Sequence, residues 1–401
     1  MVPKTLRGAC KRTGATIYVE GKQMPYTLNL DLEDFMANYW QKKPLLIKQG
    51  FVEFEDPIDE SDLAALAQED EADSRLVSHT DGTQWHVAHG PFDNFEHLGD
   101  SQWSLLVQGV DHWIPDAAEL IRPFQFIPQW RIDDLMVSFS MPGGGVGPHL
   151  DQYDVFIVQG KGRRHWRVGA QQETQSHCPH PDLLQVKAFE AIIDAELEPG
   201  DILYIPPGCP HEGYANTPAL NYSIGFRAPS ERELFSGLAD YLIDHDLGNR
   251  RFSDPSRATY GNHCGKVNES DIAQLKAMLQ SIIDDESLLR ASLLQQLSTP
   301  KRELSLDPIE GVLTNSDVIQ FLEDGGELTW VSGVRRLYTL GTGLYVNGEK
   351  LDAGLAENDM ELLADNTNLG LAQLKQASDL SLFAEVITTL TQQGLLFSMT
   401  E

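Results

Sequence analysis

Residues 138–151 read SFSMPGGGVGPHLD. A short alternating run is followed by a turn-rich lip of four glycines and two prolines, and the stretch closes on His149 and Asp151. Residues two apart on an extended chain project from the same face, so the imidazole of His149 and the carboxylate of Asp151 converge. The stretch therefore predicts a strand, a turn-rich connection and an imidazole–carboxylate pair beyond it.

A third candidate ligand, His211, follows sixty residues after Asp151 in the sequence PPGCPHE. It comes directly after a predicted strand, so a barrel can return it beside the first pair. Two histidines and one carboxylate on one face of a metal leave open coordination positions, as non-haem Fe(II) oxygenases require. The chain holds 12 histidines, and His-x-Asp triplets arise by chance, but the lip and the order of elements favour a metal site. A competing cluster, His177-Cys178-Pro179-His180, is interpreted as a solvated loop.

The region around these residues predicts short β-strands separated by Gly or Pro turns. The predicted strands span 135–140, 154–159, 163–168, 191–196, 201–205 and 220–227. Even spacing of this kind is typical of an antiparallel sandwich or barrel. Ahead of them, apolar periodicity predicts a helix that starts after Asp31 and ends before Pro44, followed by a short strand at 45–47.

Arg164 lies in the predicted strand 163–168. Alternation places it on one face with Trp166 and Val168, which should be the buried face, and places Arg163 on the other. An arginine on a buried face keeps its charge and needs an anion, and its planar fork suits a carboxylate. The alternative is an ion pair with one of the many acidic side chains of the chain itself.

Small hydrogen-bonding side chains share faces on two other predicted strands. By the same alternation Ser138 lies with Ser140, and Asn221 lies with Ser223. We expect Ser138 and Asn221 to contact a bound carboxylate and Ser223 to contact a substrate. The alternative, that these are ordinary polar residues of a barrel, stays open.

Two regions with different sequence patterns follow the strand-rich region. Ser230 to Glu233 forms a capping box that starts a helix, and leucine-rich stripes follow between Ile272 and Leu297, which can pack within one chain or between two. Beyond about residue 306, the segments 327–332, 336–340 and 344–346 predict a three-stranded meander. Helices follow it, the last ending at Gly394.

Composition bounds the function class. The chain has 401 residues, more than one core usually holds, and 60 acidic against 30 basic residues give a net charge of −30. The negative electrostatic potential of such a chain disfavours binding to nucleic acid and to anionic membranes, and it favours a basic protein partner. The four cysteines are far apart, and no stretch has the apolar length of a signal peptide or a membrane span. These features predict a cytoplasmic protein.

At this point the sequence resembles the JmjC-type, cupin-fold 2-oxoglutarate oxygenases, specifically the ribosomal oxygenases. The resemblance rests on four blocks, at residues 39–45, 143–167, 199–214 and 221–227. It implies a mainly β fold with α: a double-stranded β-helix (cupin, jelly-roll) core, a helical dimerisation segment and a C-terminal winged-helix-like α+β module. The expected limits are an extension at 1–25, the JmjC domain at 26–228, the helical region at 229–305 and the last domain at 306–401.

The resemblance also implies roles for individual residues. The iron ligands of the family fall on His149, Asp151 and His211, the residue that binds the distal carboxylate of 2-oxoglutarate falls on Arg164, and Ser138 matches a second co-substrate contact. No catalytic residue is expected beyond the metal centre.

The implied cofactor is Fe(II), with 2-oxoglutarate and O₂ as co-substrates. The implied activity is hydroxylation of an arginine side chain, at its β-carbon, in a large-subunit ribosomal protein by a homodimeric enzyme. Two alternatives remain: an oxygenase of a free small molecule or a protein demethylase, and a non-catalytic ribosome-assembly scaffold. The intact set of four residues argues against the scaffold.

Overall fold

The computed structural model describes residues 26–255, 257, 263–351 and 354–398, so the predicted extension at 1–25 lies outside the described residues. The chain forms two compact units. The first runs to Ala228 and includes two short later segments, Leu304–Asp307 and Val331–Gly333. The second contains the remaining residues from Pro229 onward.

The first unit is rich in strands. Its helices are α1 (Leu32–Asn38), α2 (Glu60–Leu66) and α3 (Pro115–Ala118), with three short 3-10 turns between 110 and 131. Its strands are β1 (Leu45–Ile47), β2 (Ser74–Thr80), β3 (Gln84–His89), β4 (Trp103–Val107), β5 (Ile132–Ser140), β6 (Asp154–Gln159), β7 (Arg164–Gly169), β8 (Ser176–His180), β9 (Leu183–Val186), β10 (Ala191–Leu197), β11 (Ile202–Ile205), β12 (His211–Ala215) and β13 (Ala219–Phe226).

The N-terminal helix and strand are both present, but the helix ends at Asn38 rather than just before Pro44, because residues 39–42 form a turn in which Gln41 has positive φ. The Asp31 side chain accepts a hydrogen bond from the Asp34 backbone N–H and caps α1. Phe35 is the fully buried residue of that helix, and it packs edge-on against Tyr204 of β11, with ring centroids 4.8 Å apart. β1 then pairs antiparallel with β11, which fixes the start of the chain against the sheet.

Eight strands form the large sheet, in the order β1-β11-β6-β13-β5-β4-β2-β3. β6 lies near its centre and all six of its residues are buried, as expected of an apolar strand covered on both faces. Phe156 and Val158 face a core that includes Phe35 and the other N-terminal helices. Val155 and Ile157 face the opposite way.

A second layer covers that opposite face. It contains the three-stranded sheet β10-β7-β12 and the hairpin β8-β9. Trp166 and Val168 of β7 form a shared core with Val155 and Ile157 of β6. The two layers make the sandwich that the strand spacing predicts, and its open end holds the candidate ligands.

The six strands predicted in this region are confirmed to within a few residues, but six others were not predicted. β2, β3, β4, β8, β9 and β12 are short or carry many polar residues, so their alternation is weak. The β2-β3 turn does carry a hairpin signal, Asp81-Gly82, with both residues at positive φ. The expected solvated loop at 177–180 is wrong in conformation, because these residues belong to strand β8, although its side chains are largely exposed.

The second unit combines helices with two small sheets. Its helices are α4 (Glu231–Asp244), α5 (Glu269–Ile283), α6 (Glu286–Ser298), α7 (Asn315–Glu323), α8 (Glu357–Asp365), α9 (Leu371–Gln376) and α10 (Leu380–Gln392). Its strands are β14 (Leu328–Trp330), β15 (Arg336–Thr339), β16 (Gly343–Val346), β17 (Glu349–Leu351), β18 (Asn368–Leu369) and β19 (Leu396–Ser398). The predicted capping box at Ser230 is present at the start of α4.

The predicted meander needs a correction. β14 does not join it but pairs with β18 and β19, and the third strand is β17. Asn347 and Gly348 both have positive φ, so they form the tight turn that folds β17 onto β16. The Asn-Gly pair is a hairpin signal that the sequence contains. The last helix ends as predicted, with Gly394 at positive φ just beyond it.

Among the described residues, no helix combines the length and the apolar composition needed to cross a membrane.

Candidate metal and co-substrate site

Backbone pairing brings the two candidate histidine ligands together. The backbone N–H of His149 donates to the carbonyl of His211, and the reverse bond has the same length, 2.9 Å. The two rings therefore lie side by side, with centroids 4.1 Å apart. The register of the second layer, rather than a flexible loop, sets the distance between them.

Asp151 completes the group. One of its carboxylate oxygens lies 3.5 Å from His211 Nε2 and 4.0 Å from His149 Nε2. One ligand atom from each residue lies within 4.8 Å of the others, and no other group of this kind occurs in the described ranges. The His177-to-His180 cluster does not form one.

Each imidazole is oriented by a carbonyl two residues before it. His149 Nδ1 lies 3.0 Å from the Gly147 carbonyl and His211 Nδ1 lies 3.0 Å from the Cys209 carbonyl. A ring that donates through Nδ1 keeps the Nε2 lone pair for a metal. Burial and the adjacent His149 lower the pKa of His211 to about 4, which keeps it neutral, as a ligand must be. Two imidazoles and a carboxylate fit Fe(II).

A glycine in β12 makes room for the wall beside this group. A Cβ on Gly213 would lie 2.7 Å from the Trp166 indole, which itself lies 6.2 Å from the His211 ring, centroid to centroid. Any side chain at 213 must therefore displace Trp166. This contact explains why β12 carries glycine opposite Trp166 of β7.

Arg164 lies on the buried face of β7, as strand parity predicts, and is 5% exposed. Its partners are neutral: one terminal nitrogen donates to Ser138 Oγ at 3.1 Å and to Asn221 Oδ1 at 2.9 Å. Its Nε is buried without a hydrogen bond, and no carboxylate in the described part of the chain pairs with it. Burial lowers the pKa of the guanidinium to about 10, so it stays charged at neutral pH. The alternative of an internal ion pair is therefore wrong.

The neutral partners of Arg164 are themselves held in place. Ser138 of β5 stands opposite Asn221 of β13, and Asn221 stands opposite Gln159 of β6. The Asn221 amide nitrogen donates to Gln159 Oε1 at 3.0 Å, which turns its carbonyl oxygen toward Arg164. Ser140, predicted on the same face as Ser138, bonds instead to Ser104 at 2.7 Å.

One cavity of about 320 Å³ contains the three candidate ligands, Arg164, Ser138 and Ser223. Other residues that the sequence does not single out also line it. Arg75, Leu106 and Gln185 lie on the unpredicted strands β2, β4 and β9, Met136 lies on the predicted strand β5, and Tyr153 and Asp182 lie between strands. Gln185 donates to the Val146 carbonyl and ties β9 to the glycine-rich lip. Predicting β2 as a strand from its sequence is the step that would have placed Arg75 on this wall. Asn221 lies behind this wall, against Arg164.

Comparison with known proteins gives two family matches. Residues 119–234 match a JmjC domain, and residues 281–397 match a ROXA-like winged helix. The expected fold, a β-rich cupin core followed by a winged helix, is confirmed.

Relatives match along nearly the whole chain. It is 48% identical over 374 residues to the ribosomal protein uL16 3-hydroxylase of Escherichia coli, covering 93% of this chain and 99% of that one. It is 33% identical over 363 residues to a probable ribosomal oxygenase of Haemophilus influenzae, covering 86% and 89%. A solved structure of the Escherichia coli ribosomal oxygenase YcfD with cobalt and 2-oxoglutarate matches with a TM-score of 0.85, at 46% identity, over 94% of this chain and 100% of that one. The chain therefore belongs to the JmjC-type ribosomal oxygenases.

Proposed function

We propose that this protein is an Fe(II)- and 2-oxoglutarate-dependent hydroxylase that modifies the large-subunit ribosomal protein uL16 at the β-carbon of an arginine side chain. The observation that carries the proposal is the placement of two features in one cavity. His149, Asp151 and His211 offer a facial set of ligands, and Arg164 offers a buried cation whose protein partners are neutral. The relative with the printed activity supports the substrate.

His149, Asp151 and His211 would hold the iron. The chemistry that Fe(II) supplies when bound is activation of dioxygen coupled to oxidative decarboxylation of 2-oxoglutarate, ending with one oxygen atom in a C–H bond. Arg164 would bind the distal carboxylate of 2-oxoglutarate, because its unpartnered Nε and its fork match that group. Ser138 and Asn221 orient the guanidinium by accepting hydrogen bonds from the same terminal nitrogen of Arg164. Trp166 closes the wall between Arg164 and His211 and excludes water.

The rest of the cavity would receive the arginine side chain. Leu106 and Met136 give it apolar walls, Ser223 offers a hydroxyl, and Asp182 adds a carboxylate to the lining. The net charge of −30 of the whole chain favours association with a basic ribosomal protein. Entry of the side chain into the cavity would bring the target carbon to the same space as the proposed metal ligands.

The decisive experiment is mass spectrometry of uL16 incubated with the purified protein, Fe(II), 2-oxoglutarate and O₂. The expected result is a gain of one oxygen on one arginine, absent when either co-substrate is withheld. Fragment ions locate the oxygen on the β-carbon. Unmodified uL16 together with succinate release would contradict the substrate but not the co-substrate chemistry.

Self-association is proposed for the helical region 229–305, between the proposed JmjC domain at 26–228 and the last domain at 306–401. The leucine-rich stripe of α5 is exposed: Ile272 is 48%, Leu275 45% and Leu279 67% accessible. An apolar stripe of this kind suits a second copy of the chain. Replacing Leu275 and Leu279 by Asp should give the monomer mass in light scattering, whereas wild type should give twice that mass. A monomeric wild type would contradict this.

We propose that the enzyme acts in the cytoplasm, where newly made ribosomal proteins occur, and that it contacts protein rather than nucleic acid. The acidic charge supports this, because a phosphate backbone would be repelled. A shift assay with ribosomal RNA at low salt should show no complex.

A further inference from the structure

Arg75 is a second cationic side chain in the wall of the cavity, and the proposed chemistry does not use it. It lies on β2 and lines the same cavity as the candidate ligands. Within the part of the chain that the structure describes, its Nε is buried without a hydrogen-bond partner, and its guanidinium pairs with no carboxylate. A buried donor without an acceptor is costly, so an acceptor is expected to arrive with a ligand.

The strand register locates Arg75 relative to the co-substrate end. Arg75 stands opposite Leu106 of β4, and Leu106 stands opposite Ser138 of β5, which accepts from Arg164. Neighbouring strands are about 4.8 Å apart, so Arg75 is roughly 10 Å along this row from Ser138. Arg75 therefore lies in the same cavity as Arg164 but at a separate position.

The chemistry of the ligands selects the acceptor. One carboxylate of 2-oxoglutarate is assigned to Arg164 and the other end to the metal, so the co-substrate has no free carboxylate for a second arginine. A cationic target side chain is repelled by Arg75. A substrate polypeptide brings a main-chain carbonyl oxygen at every residue, and a guanidinium N–H can donate to such an oxygen.

We propose that Arg75 binds a main-chain carbonyl of the substrate polypeptide and so fixes which residue of that chain enters the cavity. The inference rests on the proposed protein hydroxylase activity and adds a specificity-determining residue to it. Leu184, a 69% exposed side chain of β9 on the cavity lining, offers an apolar contact for the same chain.

The test compares Arg75→Ala, Arg75→Lys and Arg122→Ala with wild type. Arg122 is a matched control, because it is exposed and pairs with Glu119 away from the cavity. A synthetic uL16 peptide that spans the modified arginine serves as substrate. Three quantities are measured: KM for the peptide, KM for 2-oxoglutarate, and peptide-free conversion of 2-oxoglutarate to succinate.

Arg75→Ala should raise the peptide KM roughly tenfold or more, the value expected for loss of hydrogen bonds from a charged donor. Its KM for 2-oxoglutarate and its peptide-free turnover should stay within about twofold of wild type. Arg75→Lys should recover part of the loss, because it keeps the charge without the fork. An unchanged peptide KM, or a parallel rise in the KM for 2-oxoglutarate, would overturn the inference.

Peptides with a single carbonyl oxygen replaced by sulfur identify the acceptor. At one position the replacement should weaken binding to wild type and not to Arg75→Ala; equal effects on both proteins at every position would overturn the inference. If wild type leaves uL16 unmodified, the proposed function fails and this inference fails with it. If wild type is active and Arg75→Ala equals it, only the inference fails.

Discussion

The two faces of β7 carry similar residues in opposite environments. On the inner face Arg164 is buried, has neutral partners and faces the cavity. On the outer face the side chains are paired with acids: Arg163 with Glu196 at 3.3 Å, Arg167 with Glu212 at 2.5 Å and His165 with Asp194 at 2.6 Å. Two arginines next to each other in sequence thus differ in whether the protein supplies their counter-charge.

This contrast separates binding residues from surface residues. An exposed ion pair contributes little, because water solvates both charges almost as well. A buried cation with only neutral partners is an uncompensated charge, and binding of an anion beside it stabilises it strongly. A missing internal partner, rather than the residue type, marks the functional arginine.

The strongest contrast is expected between the His149–Asp151 pair in the cavity and the His165–Asp194 pair on the outer side of β7. His149→Ala/Asp151→Ala removes two of three proposed ligands, so both Fe(II) binding and 2-oxoglutarate turnover should fall below detection. His165→Ala/Asp194→Ala removes the same residue types from the outer face and should leave both near wild type. Metal titration of the apo proteins and succinate release measure these outcomes.

Undiminished Fe(II) binding by His149→Ala/Asp151→Ala would contradict the ligand assignment. Equal losses in the two double variants would mean that the two His–Asp pairs are not functionally distinct.

The next effect separates Arg164 from Arg163. Loss of a buried charge-assisted pair costs about 2–5 kcal/mol, so Arg164→Ala should raise the KM for 2-oxoglutarate roughly 30-fold or more while Fe(II) affinity stays nearly intact. Arg163→Ala, which breaks an exposed pair, should change it little. Arg164→Lys should rescue part of the loss. Titration of 2-oxoglutarate at saturating iron gives the three values.

If the variants at 163 and 164 have equal effects, or Arg164→Ala has none, the role assigned to the inner face is wrong.

The smallest effect belongs to the outer face and concerns stability. The hydrogen bond from His165, with Arg167 nearby, holds the pKa of Asp194 below its ordinary value of 3.8. A carboxyl whose pKa is lowered on folding adds stability above its ordinary pKa and loses it as the pH falls through the lowered folded value. Asp194→Asn should therefore lower Tm by only about 2 °C or less at pH 7. Calorimetry should show the difference shrinking below pH 3.8. A difference that grows on acidification would contradict the pairing.

Much of this comparison was available from the sequence. Alternation placed Arg164 with Trp166 on the buried face, because β7 has an inner face against β6 and a charged outer face. The spacing of His149 and Asp151 predicted convergence, and His211 completed the group once a barrel was assumed. Apolar periodicity and capping residues located α1, α4 and the end of α10.

The rest of the fold and of the site depends on contacts between strands, which the sequence of a single strand does not determine. β2 and β3 alternate weakly, so Arg75 was not placed on a cavity wall before the sheet order was known. β14 looked like part of a meander because it precedes one, yet it pairs with strands from the end of the chain. That Arg164 has neutral partners follows from three strands meeting, which parity within one strand cannot show.

The pairing of β1 with β11 has a consequence for the synthesis of the protein itself. The Gln41 backbone N–H donates to the Tyr204 hydroxyl, and Gln41 Nε2 donates to Asp154, so the partners of this segment lie 163 and 113 residues later. At about 5–20 residues per second, a ribosome needs roughly 8–30 s to reach Tyr204 after Gln41. During that interval Phe35 lacks its ring contact with Tyr204, and Gln41 lacks the hydroxyl that accepts its backbone N–H. The N-terminal segment of a nascent chain therefore completes its packing only after the ribosome has passed β11, and a chaperone has that interval in which to bind it.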